Sequence, residues 1–113
     1  MLIKDVIKLL NLKVYSEGDN LNIEDAYTSD LLSIVIANAP KNSIWITVQK
    51  HINVVAVASL KEISAIIITE DYIPEEVIKK AKEEKIWLLG SKEDSFTTSG
   101  KIFKILQDEK IHG

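Results

Sequence analysis

Ile44-Trp45-Ile46-Thr47-Val48, then Asn53-Val54-Val55-Ala56-Val57-Ala58-Ser59-Leu60, then Ala65-Ile66-Ile67-Ile68-Thr69 is the stretch that decides the fold. The first and third segments are short, apolar and rich in β-branched residues, and polar residues bound them, so both read as buried strands. The middle segment is ambiguous on its own. Its valines favour a strand, while Ala56, Ala58 and Ser59 suit close helix packing. Topology decides between them, because two parallel strands need a crossover of about ten or more residues. A helix over 53–60 supplies that crossover.

Working outward, Pro74 opens a helix whose Glu75/Lys79 and Glu76/Lys80 pairs lie four apart on a wet face, opposite Val77, Ile78 and Ala81. Residues 86–89 form a strand that closes at Gly90. A final helix over about 95–107 buries some combination of Phe96, Ile102, Phe103, Ile105 and Leu106, and residues 108–113 are expected to fray. Upstream, residues 31–39 form a helix that Pro40 helps to end, and Thr28, Ser29 or Asp30 can accept a bond from its free N–H groups. Residues 2–10 form a helix with Ile3, Val6, Ile7 and Leu10 facing inward. Two short strands, 12–16 and 21–27, flank the polar turn Glu17-Gly18-Asp19-Asn20. The expected class is α/β, with a mostly parallel sheet flanked by helices in a single domain over 1–113.

Composition narrows the function. With 46% hydrophobic and 27% charged residues the chain is neither disordered nor membrane-spanning in character. Cysteine is absent, which removes disulfides and thiolate metal sites. The first twelve residues carry Lys4, Asp5 and Lys8 among their apolar positions, a helical face and not a secretory core, so a cytoplasmic location is expected. All fourteen basic residues are lysine and the formal charge is -3. Without arginine's bidentate fork or a basic surface, nucleic acid is not an expected partner, and neither is a membrane.

Devices that carry chemistry are sparse. The four glycines, Gly18, Gly90, Gly100 and Gly113, are scattered, so no phosphate loop or dinucleotide fingerprint forms. The two histidines, His51 and His112, are too far apart in sequence to suggest a zinc site, and neither a cofactor nor a catalytic set is expected. His51 is the one candidate general base, with Ser29, Thr47, Thr69 or Ser91 as nucleophiles that the fold would have to bring to it.

The most informative constellation follows the 44–48 strand. Thr47, Gln49, His51 and Asn53 fall at its carboxyl end, where open α/β sheets bind ligands, and helix-start amides there suit an anion. Thr69, Glu70 and Asp71 follow the next strand, Ser91 follows the last, and all share one rim. Tyr27, Ser29 and Asp30 are further ligand candidates. The competing reading makes Gln49, Asn53, Ser29 or Asp30 ordinary helix caps and His51 a surface histidine. Trp45 and Trp87 read as core or interface residues. Residues 52–60 have so little polar surface that a small single-sheet domain is short of cover for them, which points to a homodimer or another protein partner.

Three segments, Tyr27-Thr28-Ser29-Asp30-Leu31-Leu32-Ser33, residues 45–58 from Trp45-Ile46-Thr47-Val48 onward, and Ala65-Ile66-Ile67-Ile68-Thr69, with the late Ser95-Phe96, resemble the DRTGG domain. The resemblance spans nearly the whole chain. It implies a small α/β domain related to the N-terminal domain of HPr kinase/phosphorylase and similar to modules inside some bacterial phosphotransacetylases and beside CBS domains. Those settings are regulatory or assembly settings, commonly dimeric, without an agreed catalytic activity for the domain alone. Stand-alone members look like companions of hydrogenase and redox gene clusters. The eponymous Asp-Arg-Thr-Gly-Gly string is absent here, so no arginine grip on phosphate carries over. The expected function is a non-catalytic regulatory, ligand-sensing or dimerising module for a nucleotide-like or other small anionic metabolite. The alternatives are a structural partner subunit of a redox-associated complex and, last, a small phosphate-handling enzyme.

Overall fold

The computed structural model describes residues 1–112. In chain order it contains α1 (Ile3–Leu10), β1 (Lys13–Ser16), β2 (Asp25–Thr28), α2 (Leu32–Asn38), β3 (Ser43–Thr47), α3 (Asn53–Leu60), β4 (Ala65–Ile68), α4 (Glu75–Glu84), β5 (Trp87–Gly90) and α5 (Ser95–His112). The strands form one sheet in the order β1-β5-β4-β3-β2. β2 to β5 run parallel, and β1 joins β5 antiparallel at the far edge. The 53–60 segment is the expected crossover helix.

Every residue of β3, β4 and β5 is buried, which is why these strands show no polar alternation. Successive side chains serve opposite faces. Trp45, Ile66, Ile68 and Leu88 enter a core shared with α2, α3 and α4, while Ile44, Ile46, Ile67 and Leu89 enter a second core shared with α1 and α5. Burial of each such side chain contributes about 1.5–3 kcal/mol. Trp87 also anchors the loop after β1, donating its indole N–H to the Asp19 carbonyl at 2.6 Å.

Three expectations are corrected. The apolar α3 does not lack cover within the chain: it lies between α2 and α4, with Val54, Val55, Val57 and Ala58 buried. Residues 21–24 are not part of a strand, because their backbone pairs with the start of the chain. Leu21 O accepts from Ile3 N, and Ile23 N donates to Met1 O. Residues 108–112 continue α5, whose Glu109 carboxylate lies 3.4 Å from the Met1 ammonium; Gly113 lies outside the described residues. Of the five residues from which α5 was expected to draw its buried face, Ile102 and Leu106 are buried, while Phe96 and Phe103 are 88% and 65% exposed.

Candidate functional site

The carboxyl ends of β2 to β5 form one rim, and the residues singled out there are largely occupied with one another. Asp30 does not cap α2. Its Oδ1 accepts the Thr47 hydroxyl and the Val48 N–H, each at 2.8 Å, and its carbonyl accepts the Gln49 side-chain amide at 3.0 Å. Thr47 Oγ1 in turn accepts the Gln49 N–H at 3.1 Å. Beside them the Ser29 carbonyl accepts the Trp45 indole N–H, and Ser29 Oγ accepts the Leu31 N–H. This network clamps the loop after β2 to the loop after β3. Tyr27 is not part of it, since its ring packs against the α2–α4 core.

Neither Asn53 nor Gln49 caps α3. The N-cap is Ile52, which makes no side-chain bond, and His51 just before it accepts the Asn53 N–H through Nδ1 at 3.1 Å. That bond fixes the imidazole at the helix start and spends one of its nitrogens. Three rim hydroxyls, two of them the nucleophile candidates Thr69 and Ser91, bond to α5 and not to His51. Thr69 Oγ1 pairs with Ser95 Oγ at 2.6 Å, Ser91 Oγ with Thr98 Oγ1 at 2.9 Å, and Thr28 Oγ1 with Ser99 Oγ at 2.7 Å. These three bonds stitch the first turns of α5 to the ends of three strands. Asp94 caps that helix by accepting the Thr97 N–H at 2.8 Å, and this backbone bond, followed by the Thr97 hydroxyl, holds its carboxyl below the ordinary range.

The rim is not equivalent along its length. After β2, β3 and β4 the chain turns to the same face, that of α2, α3 and α4. After β5 it turns to the opposite face, that of α5. The β4 and β5 loops therefore diverge, and such a divergence is where open α/β sheets leave a crevice for a ligand. A cleft of about 170 Å³ lies there, lined by Lys13 and Tyr15 of β1, Glu70 and Asp71 after β4, and Ser91 and Lys92 after β5. The Lys13 ammonium sits 4.8 Å from the centre of the Tyr15 ring, and the close approach of that ring explains Gly90, where a Cβ would stand 2.8 Å from Tyr15 Cε2. Wider recesses of about 350 and 720 Å³ open at the other end of the sheet, by Met1, Asn22 and Glu109, where the loops do not diverge.

Glu70, Asp71 and Ser91 thus meet as the rim argument expected, whereas Gln49, His51 and Asn53 lie on the β3 side. Lys13 and Tyr15 escaped sequence reasoning, because only the antiparallel docking of β1 beside β5 carries them to the rim. The polar and aromatic alternation Lys13-Val14-Tyr15-Ser16 was the one signal available. Among the described residues, no three or more His, Asp or Glu side chains gather to hold a metal ion, and no helix is long and apolar enough to cross a membrane.

No family model and no curated protein matches the chain. Among solved structures it is similar to the crystal structure of the CBS and DRTGG domains of the regulatory region of a Clostridium perfringens pyrophosphatase, complexed with the activator diadenosine tetraphosphate. The TM-score is 0.68 at 16% sequence identity, over 86% of this chain and 44% of that one. The five-stranded α/β fold is similar to part of that CBS and DRTGG region. At that identity the likeness is one of fold, and this chain spans less than half of its neighbour's length.

Proposed function

We propose that the chain is a non-catalytic, ligand-sensing regulatory module for a nucleotide-like or other anionic metabolite, held at the divergence of the β4 and β5 loops. The observation that carries this reading is the cleft there, where Lys13 and Lys92 offer two cations to an anionic group and Glu70 and Asp71 accept from its donors. At about 170 Å³ it suits a phosphate-sized group and the first atoms bonded to it, with the rest of the ligand over the rim. The CBS/DRTGG-type neighbour is a regulatory region bound to a nucleotide activator, which supports both the ligand class and the regulatory role. The non-catalytic part rests on His51 and the rim hydroxyls, each engaged in bonds that form no nucleophile–base pair.

Thermal-shift titration with diadenosine tetraphosphate, ATP and inorganic phosphate tests this. A ligand at a hundredfold excess over its Kd stabilises by about 2.7 kcal/mol, a readily measured rise in Tm. The rise is expected to disappear in Lys13→Ala and Lys92→Ala and to persist in His51→Ala and Asn53→Ala. Loss in the second pair alone would move the site to the β3 side of the rim. No shift with any of the three compounds at millimolar concentration would reject nucleotide or phosphate sensing.

A further inference from the structure

The cleft of Lys13 and Lys92 is bounded on one side by the loop after β4, and that loop carries an aromatic ring. Asp71 lines the cleft, and Tyr72, the next residue, is 66% exposed with the Lys50 ammonium 5.9 Å from its ring centre. Lys50 belongs to the loop after β3, and β3 lies on the other side of β4 from β5. The ring therefore sits across the crest of the β4 loop from the cleft. Its backbone is held at both ends. The Thr69 N–H donates to the Thr47 carbonyl at 3.0 Å and the Thr69 hydroxyl pairs with Ser95, while Ile73 is buried in the α2–α4 core and Pro74 starts α4. An exposed ring on an anchored backbone gives up little conformational freedom when a flat group stacks on it.

The chemistry changes in order along this path. Lys13 and Lys92 offer cations in the cleft, and Glu70 and Asp71 offer exposed carboxylates at the crest. Those carboxylates repel phosphate and accept from hydroxyls, so a polyphosphate stays on the lysine side and a ribose suits the crest. Beyond them Tyr72 offers a π face for a base, and the half-buried Lys50 offers donors to ring nitrogens at its edge. A purine gains more from such a face than a pyrimidine, because its stacked area is larger. Phe96 is more exposed than Tyr72, but it stands on the first turn of α5, and neither of its chain neighbours lines the cleft.

We infer that Tyr72 is the platform for the base of a purine nucleotide whose phosphates occupy the cleft. The inference rests on the reading of the cleft as an anion site and assigns the part of the ligand that lies over the rim. Tyr72 then sets the preference for a nucleotide over a bare polyphosphate.

Isothermal titration calorimetry of the full chain with ATP, CTP and inorganic tripolyphosphate tests this. ATP is expected to bind roughly tenfold tighter than tripolyphosphate and roughly threefold tighter than CTP. Tyr72→Ala is expected to bring ATP to the level of tripolyphosphate without changing tripolyphosphate itself, and Tyr72→Phe, which keeps the ring, to retain the preference. The side chain is exposed, so neither variant threatens the fold. Equal binding of ATP and tripolyphosphate, or of ATP and CTP, overturns the inference. So does an ATP preference that survives Tyr72→Ala or is lost in Phe96→Ala instead. In each of those cases, tripolyphosphate binding that disappears in Lys13→Ala and Lys92→Ala leaves the anion site standing. ATP binding that needs Tyr72 but neither lysine rejects the anion site and with it the placement of the phosphates, and no binding of any of the three compounds rejects both.

Discussion

The carboxylate of Asp30 stands one residue before Leu31, the N-cap of α2, yet it bonds across to Thr47 and Val48 at the end of β3. Thr47 is fully buried, so its hydroxyl requires a partner, and Asp30 is the acceptor within reach. Removing the carboxylate therefore disturbs two elements at once. Asp30→Ala is expected to lower stability by about 1–3 kcal/mol, measured by urea unfolding. Asp30→Asn, which keeps one acceptor oxygen, is expected to lose less than half of that. A loss confined to α2, with β3 and its loop unchanged in hydrogen exchange, would return Asp30 to a capping role. Asp30 shows a limit of sequence reading: the residue type announced a bond to a backbone N–H, and the choice of N–H was a tertiary matter.

Among the elements, α5 is the one whose buried face the sequence left most open. Its sequence left open which of Phe96, Ile102, Phe103, Ile105 and Leu106 would be buried; the helix is laid down by Ile102, Leu106 and the three hydroxyl pairs at its start, and both phenylalanines are turned outward. The hydroxyl pairs were not legible, since Thr69, Ser91 and Thr28 meet Ser95, Thr98 and Ser99 only when three strand ends are brought to one helix. The cap of this helix gives it a pH dependence. Asp94's carboxyl is held below its ordinary 3.8 by the Thr97 N–H, so the native state favours the ionised form. The stabilisation is complete above that value and is lost as pH falls through the lowered native pKa. Asp94→Asn keeps an acceptor without the titration. The pH dependence of stability below about pH 4 is therefore expected to flatten in the variant, read as Tm against pH. Parallel wild-type and Asn curves across that range would refute the capping role.

At the scale of the molecule, the long connection from β1 to β2 closes over the other end of the sheet at Gly18. A Cβ there would stand 2.8 Å from the Lys85 carbonyl and 2.9 Å from Trp87 Cδ1, so Gly18→Ala must displace the backbone that follows α4. A cost of about 1–3 kcal/mol is expected by denaturant unfolding, and a neutral substitution would show that this loop is free to move. The same scale separates what the chain announces from what it conceals. The parallel sheet from Ile44 onward, the crossover role of 53–60 and the burial of both tryptophans follow from local pattern, because a strand covered on both faces must be continuously apolar and its connection must be long enough to return. The local pattern could not say which strand lay beside which, that β1 would dock antiparallel on β5, or that the chain would change faces after β5 alone. Those are choices among distant packings, settled only when both cores are filled together. They decide that α3 is covered within the chain, that the cleft opens between the β4 and β5 loops, and that α5 keeps an apolar stripe turned to solvent.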